Sequence, residues 1–462
     1  MEEERLLKEK AKKNSIGDGS FYSLMDGMGL RYITPYALSI GVSNQIIGIL
    51  DFFPALIGNI FRVALSKTYY KRSRKGMVLP FVFVQAFFWL PLLLVGFSYF
   101  FLGLGILPAT LLLVLCYSII VISGAIASPA WTSWMQDLVE TNRGEYFGRR
   151  SRISGIVLIS GMLTAGLILD HFKGGNIFLG FVILFGLACI GRYVSFSFLK
   201  KQYEPKATKD EKSYFSFLTF LKKMPSNNFG RFVIFTSLVS FAVAIASPFF
   251  SVYMIKNLHF SYFAFTIVSL SSLLSPILFI PFIGKISDRI GTVRIMKISG
   301  YLISLVPILW VFSIFLMKSS PFILVGYLFT VEFFSGFVWA AYNLSTSNFI
   351  YDAVTKQKII LCVSYFGLIN SLGSFLGGLL GGQLSVLSSF SIFGLSGILL
   401  VFFISFVLRI IPAIFVGPKL KEVREVEISK EGMKIRIKAK INSFLKSISF
   451  YNPESRKILP EF

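Results

Sequence analysis

Gly284-Lys-Ile-Ser-Asp288-Arg289-Ile-Gly291-Thr-Val-Arg294 is a short polar run joining two long apolar stretches, read as 260–285 and 294–315. A helix needs about 20 mainly apolar residues to cross roughly 30 Å of hydrocarbon, and each stretch supplies them. The run therefore reads as a tight turn between two membrane helices, with its charges at the lipid–water boundary. The same criterion, carried outward, gives twelve segments: 19–40, 45–66, 78–99, 106–134, 152–170, 176–198, 230–252, 260–285, 294–315, 321–343, 359–381 and 391–413. The longest join, 199–229, holds KKQYEPKATKDEKS and divides the segments six and six.

Composition agrees. The hydrophobic set makes up 54% of the 462 residues and charged residues 15%, against about 45–50% and 25% in soluble proteins. Fifty-one phenylalanines and nineteen tyrosines exceed what a soluble core of this length can hide. The expected fold is an all-α polytopic membrane protein of twelve transmembrane helices in a pseudo-symmetric 6+6 arrangement. Its expected parts are a tail 1–18, a six-helix bundle 19–198, a central loop 199–229, a second bundle 230–415 and a tail 416–462. MEEERLLKEKAKK at the start is too polar for a signal peptide, so the first apolar stretch reads as a retained span.

The net charge of +23 would suggest nucleic acid if it formed a face on a soluble domain. Its placement argues otherwise. With the N-terminus in the cytoplasm, the outer loops hold just Lys173, Lys256 and Lys318 of the 46 basic residues, and Arg31 sits within the first helix. The others fall in inner loops, inner helix ends and the tails, which is the positive-inside pattern. Both termini are thus expected in the cytoplasm, with the chain in the cell membrane and no nucleic-acid partner.

Other classes find little support. Cys116, Cys189 and Cys362 match no zinc or disulfide spacing, and two histidines make a poor metal set, so neither metal nor cofactor is expected. No nucleophile–base arrangement stands out, and the glycine-rich eleventh segment lacks the Lys-Ser/Thr of a phosphate loop. An enzyme is not expected. The tail segment EVREVEISKEGMKIRIKAKI reads equally as a hairpin or as an amphipathic interfacial segment.

The halves carry ordered likenesses. Gly58 opens GNIFRVALSKTYYKRSRKG after the second segment, as Gly284 opens the polar run after the eighth; Trp134-Met-Gln-Asp137-Leu-Val answers to Phe349-Ile-Tyr-Asp352-Ala-Val. In each case the counterparts lie close to half the chain apart, as parallel repeats should. With the Gly-xxx-Asp-Arg-x-Gly-xx-Arg pattern between helices eight and nine, the chain resembles the major facilitator superfamily of secondary transporters over about 18–415. That resemblance implies an inner gate. Gly284 would let helices eight and eleven approach, Asp288 would meet a helix end or a basic group, and Arg289 and Arg294 would hold cytoplasmic ends in the outward-facing state. In the first half Arg62 stands where the acid is expected, and Asp137 is its candidate partner. The stretch from Trp131 to Arg150 resembles a helix-four-to-five segment of the superfamily and places Arg149 at phosphate level. The Gly-Pro antiporter signature of helix five and the Arg-xxx-Gly of helix four are missing.

Ionisable groups at membrane depth are costly and usually face a cavity or a partner. Asp26 and Arg31 in helix one, Asp51 in the outer half of helix two and Glu332 near the middle of helix ten are the candidates for substrate binding or proton coupling. Asp26 and Arg31 are five apart, so an ideal helix does not favour their pairing. Arg31 supplies a fixed positive charge, whereas Glu332, with no basic neighbour in sequence, suits proton uptake and release. Tyr32, Tyr36, Tyr117, Trp339, Tyr342 and Asn343 are candidate cavity-lining residues, though aromatic residues this abundant more often serve packing. The expected function is alternating-access transport of a small organic solute, with proton coupling a further expectation resting on Glu332. An uncoupled facilitator and a lipid or amphiphile translocator are the alternatives. Nothing specifies an oligomer, so a monomer is the default, and the Phe and Ile content fits a prokaryotic membrane protein.

Overall fold

The structure is a computed structural model that describes residues 2–65, 68–69, 72–139, 143–205, 216–355, 358–387 and 397–423. The hairpin or interfacial segment expected in the tail lies outside these residues from 424 onward. The described residues form helices and connecting turns. The long helices are α1 (Glu2–Met28), α2 (Asn44–Ala64), α3 (Arg74–Phe101), α4 (Ile106–Leu138), α5 (Arg143–Lys173), α6 (Ile177–Lys201), α7 (Asn228–Asn257), α8 (Tyr262–Ile290), α9 (Thr292–Leu316), α10 (Pro321–Ala353), α11 (Ile359–Ser385) and α12 (Gly397–Phe415). Eleven helices among the described residues are long and apolar enough to cross a membrane; α1 is not among them.

α1 differs from expectation at both ends. The polar start expected to be a tail is helical from Glu2, because its Glu, Lys, Leu and Ala residues are strong helix formers and two ion pairs brace it. Lys8 meets Glu4 at 3.1 Å and Lys12 meets Glu9 at 2.7 Å. Further on the helix breaks at Gly29, passes through a 3-10 turn at Leu30–Tyr32 and resumes as Ile33–Ile40. A Cβ on Gly29 would strike the Trp89 ring, so the break sits where α3 presses closest.

Short turns make sequential helices antiparallel. Gly291, at φ 99°, ends α8 and lets α9 start at once, which accounts for a glycine in the polar run between them. Basic residues gather at one end of the assembly, where Asn14 donates to the Lys201 carbonyl and Asn228 to that of Lys421. The opposite, lysine-poor end carries Ile40, Lys173 and Tyr262.

Helices α1–α6 pack mainly on one another, as do α7–α12, and the two sets meet where α2 lies on α11 and α5 on α8. Each set holds the same aromatic knot. Tyr36 and Trp89 pack on Phe185 at centroid distances of 4.9 and 5.2 Å; Tyr253 and Trp310 pack on Phe402 at 5.6 and 6.1 Å. Tyr253 follows Tyr36 by the same interval that separates Phe402 from Phe185, and Trp310 follows Trp89 by nearly that interval. Such pairs contribute about 0.5–1.5 kcal/mol beyond area burial. In lipid, where apolar area drives little association, fitted contacts of this kind decide which helices meet.

Candidate functional site

The break in α1 builds the first polar site. It swings Arg31 back along the helix, so its Nε lies 3.3 Å from Asp26, a pairing the ideal-helix spacing disfavours. The pair is partly open, with 43% of the Arg31 side chain and 21% of the Asp26 side chain exposed. On α2, the Asp51 carboxylate accepts a hydrogen bond from Tyr117 of α4 at 2.8 Å. Four expected residues thus make two polar contacts, an Asp26–Arg31 ion pair within α1 and an Asp51–Tyr117 hydrogen bond between α2 and α4.

The second site lies in the other set. A cavity of about 620 Å³ opens among α7, α8, α9, α10 and α12. Its charged lining residues are Glu332 and Arg409, and Ser247, Ser272, Ser335, Asn343 and Ser347 add neutral polar groups to a mostly apolar wall. The Glu332 carboxylate accepts a hydrogen bond from Trp310 Nε1 at 3.0 Å. Arg409, fully buried, donates to Ser405 Oγ at 3.0 Å and to the carbonyls of Ile303 at 3.1 Å and Val243 at 3.3 Å. Trp339 and Asn343 line this cavity, whereas Tyr342 is buried against Trp339.

Tyr32 and Tyr36, also expected in the cavity, line neither site. Tyr36 is fully buried, and its hydroxyl donates to the Leu92 carbonyl within the aromatic knot. Tyr32 is equally buried and joins the two helix sets: its hydroxyl donates to the Met162 carbonyl at 2.8 Å and sits 2.6 Å from Thr266 Oγ1 of α8. The turn at Leu30–Tyr32 rotates both side chains into protein.

Sequence reasoning assigns Arg192 and Arg409 to the inner helix ends, yet both are buried. Arg192 of α6 donates to Gln85 Oε1 at 2.7 Å and Ser195 Oγ at 2.8 Å, and lies 3.9 Å from Asp18 of α1. Asp18 also accepts from Arg150 at 3.3 Å and Ser195 at 2.8 Å. A signal is present in the sequence: each arginine stands several residues inside an apolar segment, and the two are separated by the interval that relates Tyr36 to Tyr253.

The sets close on each other at the lysine-poor end. Asp170 of α5 accepts from the backbone N–H groups of Tyr262 at 2.7 Å and Phe263 at 2.9 Å, so it caps the N-terminus of α8 from the other set. Gln45 donates to Gln383 at 3.2 Å. A Cβ on Gly48 of α2 would lie 2.5 Å from the Gly378 carbonyl of α11.

The expected inner gate is arranged differently. Asp137 pairs with Arg74, while Arg62 donates to the Ala125 carbonyl at 3.4 Å. Arg74 begins α3 beside the end of α4, a closer neighbour than Arg62 on α2. Gly284 does not bring α8 onto α11: the nearest atom to a Cβ there is Leu344 of α10, at 4.0 Å. Arg149, Asp288 and Arg289 are exposed, and Arg294 is half-buried.

Known proteins share this architecture. The model of the Major Facilitator Superfamily matches residues 19–355 and 232–448. Comparison with curated protein sequences gives no match. A solved point variant of the nucleoside transporter NupG superposes with a TM-score of 0.68 at 16% identity, covering 90% of this chain and 100% of that one. The unsubstituted nucleoside transporter NupG gives 0.62 at 17%, covering 90% and 98%. A bacterial homologue of the iron transporter ferroportin, in an inward-facing state, gives 0.64 at 12%, covering 90% and 98%. Identities this low speak for the fold alone, but the family match spans most of the sequence. This chain belongs to the Major Facilitator Superfamily of secondary transporters.

Proposed function

We propose that this transporter moves a small organic solute across the cytoplasmic membrane by alternating access and couples that movement to protons through Glu332. The observation that carries the reading is the cavity, where a carboxylate and a guanidinium share a pocket within an apolar helix set. A volume near 620 Å³ suits a small molecule. On this reading twelve spans form bundles 19–198 and 230–415, with α1 and its continuation to Ile40 as the first span. The recurrence of Tyr36, Phe185 and Arg192 as Tyr253, Phe402 and Arg409, at one constant interval, supports two related halves. The basic end then faces the cytoplasm, with both termini. On this reading the contacts of Asp170, Tyr32 and Gly48 hold the outer face closed, which supports an inward-facing state.

The test is flux into proteoliposomes, with the solute chosen by thermal stabilisation of detergent-purified protein against a panel at pH 5.5 and 7.5. Nucleosides and iron enter the panel because the solved neighbours carry those names, beside carboxylates and organic cations. Glu332→Gln is expected to keep solute exchange and lose accumulation driven by a pH gradient. Uphill accumulation surviving in that variant would place coupling elsewhere, and gradient-independent flux in the unaltered protein would make it a facilitator.

Asp170 gives a second expected result. Its removal costs α8 a cap from across the interface, worth about 0.5–2 kcal/mol. Asp170→Ala should therefore raise the outward-open population by roughly 2- to 30-fold. Spin-label distances between positions 175 and 257 measure this; an unchanged distribution means that the cap does not hold the face closed.

A further inference from the structure

We propose that Arg409 is an anion-binding residue, whose resident counter-charge is the Glu332 carboxylate and whose occupant, when Glu332 carries a proton, is a carboxylate or phosphate group of the transported solute. This rests on the transporter reading and narrows it to a substrate class.

The comparison with Arg192 makes the case. Both arginines are buried, and the interval between them is the one at which the aromatic knot recurs. Each is anchored through Nε to a neutral oxygen, Gln85 Oε1 or Ser405 Oγ. Their counter-charges differ. Arg192 has Asp18 at 3.9 Å and covers the Tyr22 ring at 5.0 Å, so its charge is matched by direct contacts. The same interval carries Asp18 to Phe235, buried and uncharged. Arg409 therefore has no Asp18 of its own. Its three acceptors are a hydroxyl and two carbonyls, which fix the fork without neutralising it. Among the described residues no carboxylate comes within 4.0 Å of it.

Glu332 supplies the balancing charge from the same cavity. It lines that cavity together with Arg409 and forms no contact ion pair with it, so the guanidinium and the carboxylate both face a space that another group can enter. The surroundings of Glu332 offer no substitute. α9 presents Trp310, with Tyr253 of α7 beside it, bonded to Ser313. α8 lines the cavity with Ser272, Leu273, Pro276 and Ile280, and Tyr327 on α10 is committed to the Leu309 carbonyl. The charge count then has two states. With Glu332 ionised the cavity is neutral; with Glu332 protonated it holds one uncompensated guanidinium in a low-dielectric wall, which is strongly unfavourable. A bound anion restores neutrality, and a guanidinium fork matches carboxylate or phosphate oxygens. Proton and anion should therefore bind together.

The experiment measures thermal stabilisation of the purified full chain by benzoate, inorganic phosphate and uncharged benzamide. Benzoate or phosphate should bind about tenfold more tightly at pH 5.5 than at pH 7.5, and benzamide should show no such change. Glu332→Gln should bind the anion as tightly at pH 7.5 as the unaltered protein does at pH 5.5. The double variant Glu332→Gln/Arg409→Gln, which removes both charges and so avoids leaving either unpaired, should lose the effect. Arg409→Lys tests whether charge alone suffices. Anion binding that persists in the double variant, or no stabilisation of Glu332→Gln by either anion, overturns the proposal. Flux is scored separately: anion binding without pH-driven accumulation would refute proton-coupled transport and leave the anion site standing.

Discussion

Gly377→Val is expected to remove most folded protein from the membrane, whereas Gly48→Val should leave the protein folded but unable to transport. Both follow from α11, which carries glycines on two faces. Gly373, Gly377 and Gly381 sit against the backbone of α7, and a Cβ on Gly377 would enter the Phe241 carbonyl. Backbone cannot yield as a flexible side chain can, and overpacking costs about 1–3 kcal/mol even where side chains repack. α7 and α11 stay together throughout the proposed cycle, so no conformation relieves the clash. Gly378 and Gly382 face α2, where a Cβ on Gly48 would meet the Gly378 carbonyl at 2.5 Å and Gly382 Cα at 2.9 Å. That seam joins the two sets, and separating it removes the clash. Gly48→Val should therefore hold the lysine-poor face open, near-normal in yield and thermal stability, with exchange reduced at least tenfold, the factor that about 1.4 kcal/mol of bias gives. Normal flux through Gly48→Val would show that the seam never needs to close this tightly.

How much of this is legible in the sequence depends on the kind of signal. Apolar length is a property of each segment alone, so long apolar helices and a polytopic chain can be read directly. The bend in α1 cannot. Gly29 is one glycine among 38, and the ring that selects it, Trp89, belongs to another helix. Asp26 and Arg31 stand out as charges at membrane depth, but their pairing needs that bend. Asp51 stands out for depth as well, while its Tyr117 partner comes from another helix. Arg192 and Arg409 escape notice for a different reason. Segment ends drawn from apolar content stop short of helices that continue to Lys201 and Phe415, so both arginines look interfacial. The expected pairing of Arg62 with Asp137 fails because Arg74 is bonded to Asp137 through helix ends that no spacing rule relates.

The two buried arginines lead to the other large effect. Arg192→Leu should destabilise the protein by about 3–5 kcal/mol, since it leaves Asp18 buried with only Arg150 as counter-charge and orphans Gln85 Oε1. Arg150 is partly exposed and 3.3 Å from Asp18, which argues for the lower part of that range. Asp18→Asn combined with Arg192→Leu should cost less than Arg192→Leu alone, because no unbalanced carboxylate is left behind. Equilibrium unfolding in mixed micelles measures both; equal losses would mean that Asp18 and Arg192 do not act as a unit. Arg409→Gln should behave differently, although its anchor is so similar. Glu332, facing a cavity, can lose its counter-charge and take a proton, so the cost should fall as pH falls. At Arg192 that relief is smaller, since Arg150 stays 3.3 Å from Asp18 and favours its ionised form. α6 and α12 thus put a buried cation to two uses. The one matched within the protein locks the first half together, and the one matched across a cavity keeps a place that a solute can fill.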